Sequence, residues 1–66
     1  MIIRINGKAE TIGKKEGLAA LIADRGLCPD KIVVEHNLKI VDKADWPNIT
    51  LSENDNIEIV SFVGGG

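Results

Sequence analysis

Asn56-Ile57-Glu58-Ile59-Val60-Ser61-Phe62-Val63-Gly64-Gly65-Gly66 closes the chain, and its reading decides the rest. Asn56 to Phe62 reads as a strand. Its alternation sets Ile57 and Ile59 on one face and Val60 and Phe62 on the other. The strand then runs into glycines and a terminal carboxylate. Glycine has no Cβ, so three in a row make a thin, flexible segment that is costly to order. Two readings stand at this point. One is a frayed terminus, since chain ends are commonly poorly ordered. The other is a narrow stem that passes through a channel and presents a carboxyl group inside another protein's active site.

Length and composition narrow what surrounds that stretch. A chain of 66 residues makes one small domain at most. Such a domain buries only about 60% of the surface its unfolded chain exposes, which leaves little room for an enclosed active site. Hydrophobic residues make up 44% and charged residues 27%, a globular balance. The net charge of -2 comes from interleaved acids and bases. There is no basic stripe for nucleic acid, and only Trp46 and Phe62 could stack on bases. No apolar run is long enough to span a bilayer, and the start of the chain lacks the pattern of an export signal. The single cysteine, Cys28, cannot form an internal disulfide, so the expected location is the reducing cytoplasm.

Working back from the closing strand, Ser52-Glu53-Asn54-Asp55 reads as the polar turn that launches it. Asp42 to Thr50 is an irregular connection broken by Pro47, with Asp45-Trp46 starting a single helical turn and Trp46 a lid on the core edge. Lys39-Ile40-Val41 is a short strand joined through the turn His36-Asn37-Leu38 to Lys31–Glu35, a β-branched strand. Glu16 to Arg25 has apolar residues at helical spacing in Leu18, Leu21 and Ile22, extended by the stem of Arg25. Its start lacks a good cap, because Gly17 stands where Ser, Thr or Asp would serve better. Its end is clear: Gly26 suits the left-handed position and Pro29 forbids continuation. Met1 to Asn6 and Lys8 to Ile12 are strands joined at Asn6-Gly7, a dipeptide suited to a two-residue hairpin turn. In the second of them Ala9 or Ile12 is expected to face inward.

These elements have a natural packing solution: one amphipathic helix on one face of a mixed four- or five-stranded sheet, with the first and last strands adjacent at its centre. The expected inward set is Ile3, Ile5, Ile12, Leu18, Leu21, Ile22, Leu27, Ile32, Val34, Ile40, Leu51, Ile57 and Ile59. Ile2, Val33, Val60 and Phe62 are left over on the other face, where nothing in the chain can cover them. A contiguous exposed apolar patch marks a partner surface, although single exposed apolar residues are ordinary. Here the patch would run into the glycine tail.

The opening strand with Asn6-Gly7, the segment Ile32-Val33-Val34-Glu35-His36-Asn37 with Ile40-Val41, Trp46, and above all the stretch from Asp55 to Gly66 resemble the ThiS family, the sulfur carrier proteins of thiamine biosynthesis. The resemblance spans essentially the whole chain. It implies an α+β, ubiquitin-like β-grasp fold: a single domain over residues 1–66, with residues 63–66 as a flexible tail. Two positions depart from it: Gly17 at the helix start, and His36-Asn37-Leu38-Lys39, which lacks the glycine common in that turn. Neither touches the tail.

The resemblance also implies a chemistry. A carboxylate is a poor acyl donor until its oxygen becomes a leaving group. A ThiF-like adenylating enzyme would use ATP and magnesium to join Gly66 to AMP as a mixed anhydride. A persulfide from a sulfurtransferase system would displace the AMP, leaving a Gly66 thiocarboxylate. A ThiG-like thiazole synthase would accept that sulfur. Gly66 is then the attachment point, Gly64 and Gly65 the stem that threads the partner sites, and Val60, Phe62, Ile2 and Val33 the docking surface. The chain itself would be a carrier and not an enzyme, with no bound cofactor or metal and no catalytic side chain. Other readings are sulfur transfer to a molybdopterin precursor, a ubiquitin-like protein modifier, and a β-grasp interaction module with an inert tail. Elsewhere, Cys28 could carry sulfur, but before Pro29 at a helix exit it reads as structural. His36 has no second ligand at metal spacing. Asp42, Asp45, Glu53 and Asp55 read as turn and cap residues.

Overall fold

The computed structural model describes residues 1–13 and 15–62. Lys14 and the tail residues 63–66 lie outside the described residues. Strands β1 (Ile2–Ile5) and β2 (Lys8–Thr11) form an antiparallel hairpin. Helix α1 (Leu18–Asp24) follows, then a 3₁₀ turn at Pro29–Lys31. Strands β3 (Ile32–His36) and β4 (Lys39–Val41) make a second antiparallel hairpin. A 3₁₀ helix over Lys43–Asn48 leads to the last strand, β5 (Asn56–Ser61). The sheet order is β2-β1-β5-β3-β4. The closing strand therefore sits at the centre, parallel to β1 and antiparallel to β3. This is the expected β-grasp arrangement, with five strands.

Helix α1 is shorter than its apolar spacing predicts, beginning at Leu18 and not Glu16. Gly17 gives it no side-chain cap. The connection before β5 compensates: Leu18 N–H donates to the Ile49 carbonyl, and Leu51 N–H to that of Glu16, both at 2.9 Å. The helix start is thus fastened by tertiary backbone hydrogen bonds. Gly26 closes the far end at φ 68°, where a side chain would be strained. Arg25 is exposed and its guanidinium pairs with Glu10 of β2, so its stem is not part of the apolar stripe. That hydrogen bond outweighs the slight desolvation of Glu10 and holds its carboxyl below the usual glutamate range.

The core consists of Ile3, Ile5, Leu18, Leu21, Ile22, Ile32, Val34, Trp46, Leu51 and Ile57. Ile12, Leu27 and Ile59 pack against it half-buried. Two expected positions differ. Ile40 is 70% exposed, because its partner across the hairpin is Glu35, which places both on the face away from the helix. Ala9 is also exposed, since it lies opposite Arg4 on that outer face. Trp46 is not a lid but a core residue, only 5% exposed. The 3₁₀ helix tucks its ring inward, and Nε1 donates to the Val41 carbonyl at 3.1 Å, so the buried indole is satisfied.

Asp55 and His36 depart most from their expected roles as turn residues. His36 ends β3, and the turn proper is Asn37-Leu38. Asp55 is buried at the entry to β5. Its carboxylate accepts from Ser52 N–H (2.8 Å), His36 Nε2 (2.8 Å) and Asn37 Nδ2 (3.0 Å). An ionised carboxylate offers no hydrogen, so His36 carries its own on Nε2. Asn37 Oδ1 in turn accepts from Asn56 N–H at 2.8 Å. Burial pushes the Asp55 carboxyl up, but the hydrogen bonds from Asn37, His36 and Ser52 outweigh it and hold the group below its ordinary value.

Two outcomes follow from these local structures. A depressed carboxyl contributes stability that is complete above the ordinary aspartate value of about 3.9 and is lost as pH falls through the lower folded value. Asp55→Asn should cost about 2 kcal/mol at neutral pH and flatten the decline in stability below about pH 4. Urea titrations across that range test this, and an undiminished acid slope in the variant would count against it. Leu38 occupies φ 73° and is 82% exposed, so it bears left-handed strain with little packing in return. Leu38→Gly should raise stability by about 0.5–1 kcal/mol, the strain relieved less the added entropy of the unfolded chain. A lowered urea midpoint would show that the Leu38 side chain stabilises the fold more than its backbone strains it.

Candidate functional site

Strand β5 is bonded on both sides, and the partners change along its length. On one side Arg4 N–H reaches the Asp55 carbonyl and Asn6 N–H that of Ile57, each at 2.9 Å. On the other side the pairs run from His36 with Ile57 to Ile32 with Ser61. Past the strand, Phe62 N–H still donates to the Lys31 carbonyl at 3.0 Å. The chain is therefore held by backbone hydrogen bonds up to the residue before the tail. Gly64, Gly65 and Gly66 lie outside the described residues.

The face of β5 away from the helix is uncovered. Val60, 58% exposed, stands directly opposite Val33, and Phe62 follows on the same side at 56%. These three make a compact apolar surface beside the point where the tail begins. Ile2 is also exposed on that face but is not part of the surface. It lies level with Asn54, whose N–H donates to its carbonyl at 2.8 Å. Val60 is six residues further along β5, about 20 Å away at the strand rise. The two positions share a face because the strands alternate alike; the parallel pairing of β1 with β5 puts them at opposite ends of it.

The border of the patch is charged: Lys31 stands opposite Phe62, and two acids lie beyond Val33 and Val60. Glu35 and Glu58 face each other across β3 and β5, one step along from Val33 and Val60. A like-charged pair in this position is unfavourable in the free protein. At the edge near Lys31, Asp30 pairs with Lys43, and that ammonium holds the exposed Asp30 carboxyl below its usual range. Cys28 is exposed at the start of the 3₁₀ turn. His36 and Asp55 meet at the opposite end of β5 from the tail, inside the network that fixes the strand's entry.

Two open hollows lie on the helix side. One, about 500 Å³, is lined by residues that include Thr11, Glu16, Asp24 and Arg25. The other, about 330 Å³, lies between α1 and the 3₁₀ helix and includes Ala19, Ile22, Trp46 and Pro47. Neither is lined by a residue of β5. Among the described residues no group of three or more His, Cys, Asp or Glu side chains is placed to share a metal ion. No helix among them is long and apolar enough to cross a membrane.

Comparison with known proteins places this geometry in context. The model of the ThiS family matches residues 3–66. The sulfur carrier protein ThiS of Bacillus subtilis is 36% identical over 66 residues, covering 98% of this chain and all of that protein. A thiazole synthase of Paramagnetospirillum magneticum is 35% identical over the full length of this chain. The chain spans about a fifth of that enzyme, and equally of the thiazole synthase of Magnetococcus marinus. The crystal structure of the thiamine biosynthesis protein ThiS from Geobacter metallireducens superposes with a TM-score of 0.84, at 25% identity and with complete coverage of both chains. Sequence and fold agree over the whole length, and the chain belongs to the ThiS family of sulfur carrier proteins.

Proposed function

We propose that this protein carries sulfur on the carboxyl group of Gly66 and delivers it for thiazole formation in thiamine biosynthesis. The observation that carries this reading is the end of β5. A central strand, bonded on both sides, leads through an exposed Val33-Val60-Phe62 surface directly to a glycine tail. Full-length similarity to a sulfur carrier protein supports it. The stretches of thiazole synthase that match this chain support a thiazole synthase as the acceptor of the sulfur.

The chemistry divides between carrier and partners. The Gly66 carboxylate attacks the α-phosphorus of ATP in a ThiF-like adenylating enzyme, with magnesium there balancing the phosphate charge. Pyrophosphate leaves and an acyl adenylate remains. The terminal sulfur of a persulfide, supplied by a sulfurtransferase system, attacks the acyl carbon and AMP departs. A thiol then cleaves the resulting acyl disulfide, and the two electrons it brings leave the sulfur on Gly66 as a thiocarboxylate. A ThiG-like thiazole synthase takes that sulfur. The carrier contributes position and access. Gly64 and Gly65 offer no Cβ to obstruct a narrow channel, and Val33, Val60 and Phe62 bury apolar area against the partner, with Ile2 reserved for a partner large enough to span the face. The chain works as a single β-grasp domain with residues 63–66 as its tail, in the cytoplasm, as a co-substrate and not an enzyme.

Incubation with ATP, magnesium, the adenylating enzyme of the same genome and a persulfide donor should raise the intact mass by the difference between sulfur and oxygen. Absence of that gain with an active enzyme would sink the proposal. Phe62→Ala should weaken use of the carrier by about tenfold, the loss of one buried aromatic anchor, while leaving the fold intact. Recovery of Gly66 in isopeptide bonds to lysines in cell extracts would instead favour a protein modifier.

A further inference from the structure

The parallel ladder between β1 and β5 stops early. Arg4 N–H and Asn6 N–H supply two of its rungs, to the Asp55 and Ile57 carbonyls. In a regular ladder the next rungs would join Ile59 to the backbones of residues 6 and 8. They cannot form, because the chain turns away at Asn6 (φ 50°) and Gly7 (φ 84°). The side chain of Asn6 stands in for both. Its Oδ1 accepts from Ile59 N–H at 2.7 Å, and its Nδ2 donates to the Ile59 carbonyl at 3.3 Å. One amide thus reproduces the donor and acceptor of a strand that is no longer there.

The pairing with β3 shows what this holds. Asn37 N–H donates to the Asn56 carbonyl, and Phe62 N–H to that of Lys31. Antiparallel alternation then assigns the backbone groups of Asn56, Glu58, Val60 and Phe62 to the β3 side, and those of Ile57, Ile59 and Ser61 to the β1 side. Beyond Ile57 the only β1-side bonds to β5 among the described residues are those from Asn6. Without them the segment from Glu58 to Phe62 would be held on one edge alone. That segment carries Val60 and Phe62 and leads into the tail.

We propose that Asn6 is a positioning residue for carrier function: its amide extends the β1 ladder onto Ile59 and so fixes the direction in which Val60 and Phe62 are presented to a partner enzyme. This rests on the proposed docking role of the β5 end. A segment already ordered before binding gives up less freedom when it docks, so its loss appears as weaker use of the carrier and not as slower chemistry once docked. Glycine at position 6 tolerates the positive φ, which separates loss of the amide from disruption of the turn.

The test compares the wild-type chain with Asn6→Gly and Asn6→Asp, and with Ile22→Val as a core variant on the helix, outside β1 and β5, that lowers stability. Amide hydrogen exchange is measured first, on the protein alone. Asn6→Gly should speed exchange at Val60 and Phe62, whose N–H groups Asn6 does not touch, while Ile22→Val leaves them at the pace of the rest of the sheet. In steady-state adenylation by the ThiF-like enzyme of the same genome, KM for Asn6→Gly should rise by about five- to tenfold with kcat within about twofold. Asn6→Asp, which keeps the acceptor for Ile59 N–H, should fall between. Exchange confined to a change at Ile59, or an unchanged KM, overturns the positioning role and leaves the sulfur-carrier reading standing. A wild-type chain that is not adenylated at all overturns the carrier reading, and exchange at Val60 and Phe62 then decides whether Asn6 holds the segment.

Discussion

The carboxylate of Asp55 gathers hydrogen bonds from Ser52, His36 and Asn37, and its own backbone carbonyl accepts from Arg4. One residue therefore joins the turn before β5, the tip of the β3–β4 hairpin and the first strand. These segments are far apart in sequence, and a small sheet with one covering helix has little other means of fixing their register. A buried charge is tolerated there because donors surround it. Remove the carboxylate and a histidine, an asparagine amide and a backbone N–H lose their partner together. The position of β5 depends on this junction at its start.

The two faces of the sheet have different tasks. The inner face is spent on the core with α1 and Trp46, which takes nearly all the large apolar residues a chain of this length can bury. The outer face carries a few apolar side chains together with Arg4, Lys31 and the Glu35–Glu58 pair. On the proposed reading one patch and one tail serve enzymes that act in succession. Those enzymes then compete for the same surface, so the carrier must leave one before it can be read by the next. Such use favours a modest patch with a charged border over a large apolar one that would hold its first partner too long.

Much of this was legible in the sequence, and the failures share a cause. The central place of β5 beside β1 and the exposure of Val60 and Phe62 followed from alternation and from having a single helix. Ile40 was misread because a three-residue strand offers too few positions to fix its phase; only its pairing with Glu35 does so. Trp46 was underrated because a stretch containing Pro47 does not look like a core element, yet a 3₁₀ helix suffices to turn the indole inward. The missing helix cap at Gly17 was visible, whereas its remedy came from Ile49, more than thirty residues away. Asp55 and Asn6 carried familiar turn signals that concealed second roles. Both act through contacts with distant backbone or side chains, and composition and spacing are silent on such contacts. Ile2 shows the converse: alternation gave its face correctly, but its distance from Val60 is set by the parallel register.

The hydrogen bond from Phe62 N–H to the Lys31 carbonyl is the last fixed point of the described chain. Four residues remain after it. Fully extended they reach about 14 Å at most. Any enzyme that acts on the terminal carboxyl while resting against Val33, Val60 and Phe62 must therefore keep its reacting atoms within that depth of its own docking surface. On the proposed reading the carrier acts as a gauge: a partner whose catalytic centre is buried deeper must move toward the carrier or be excluded from the reaction.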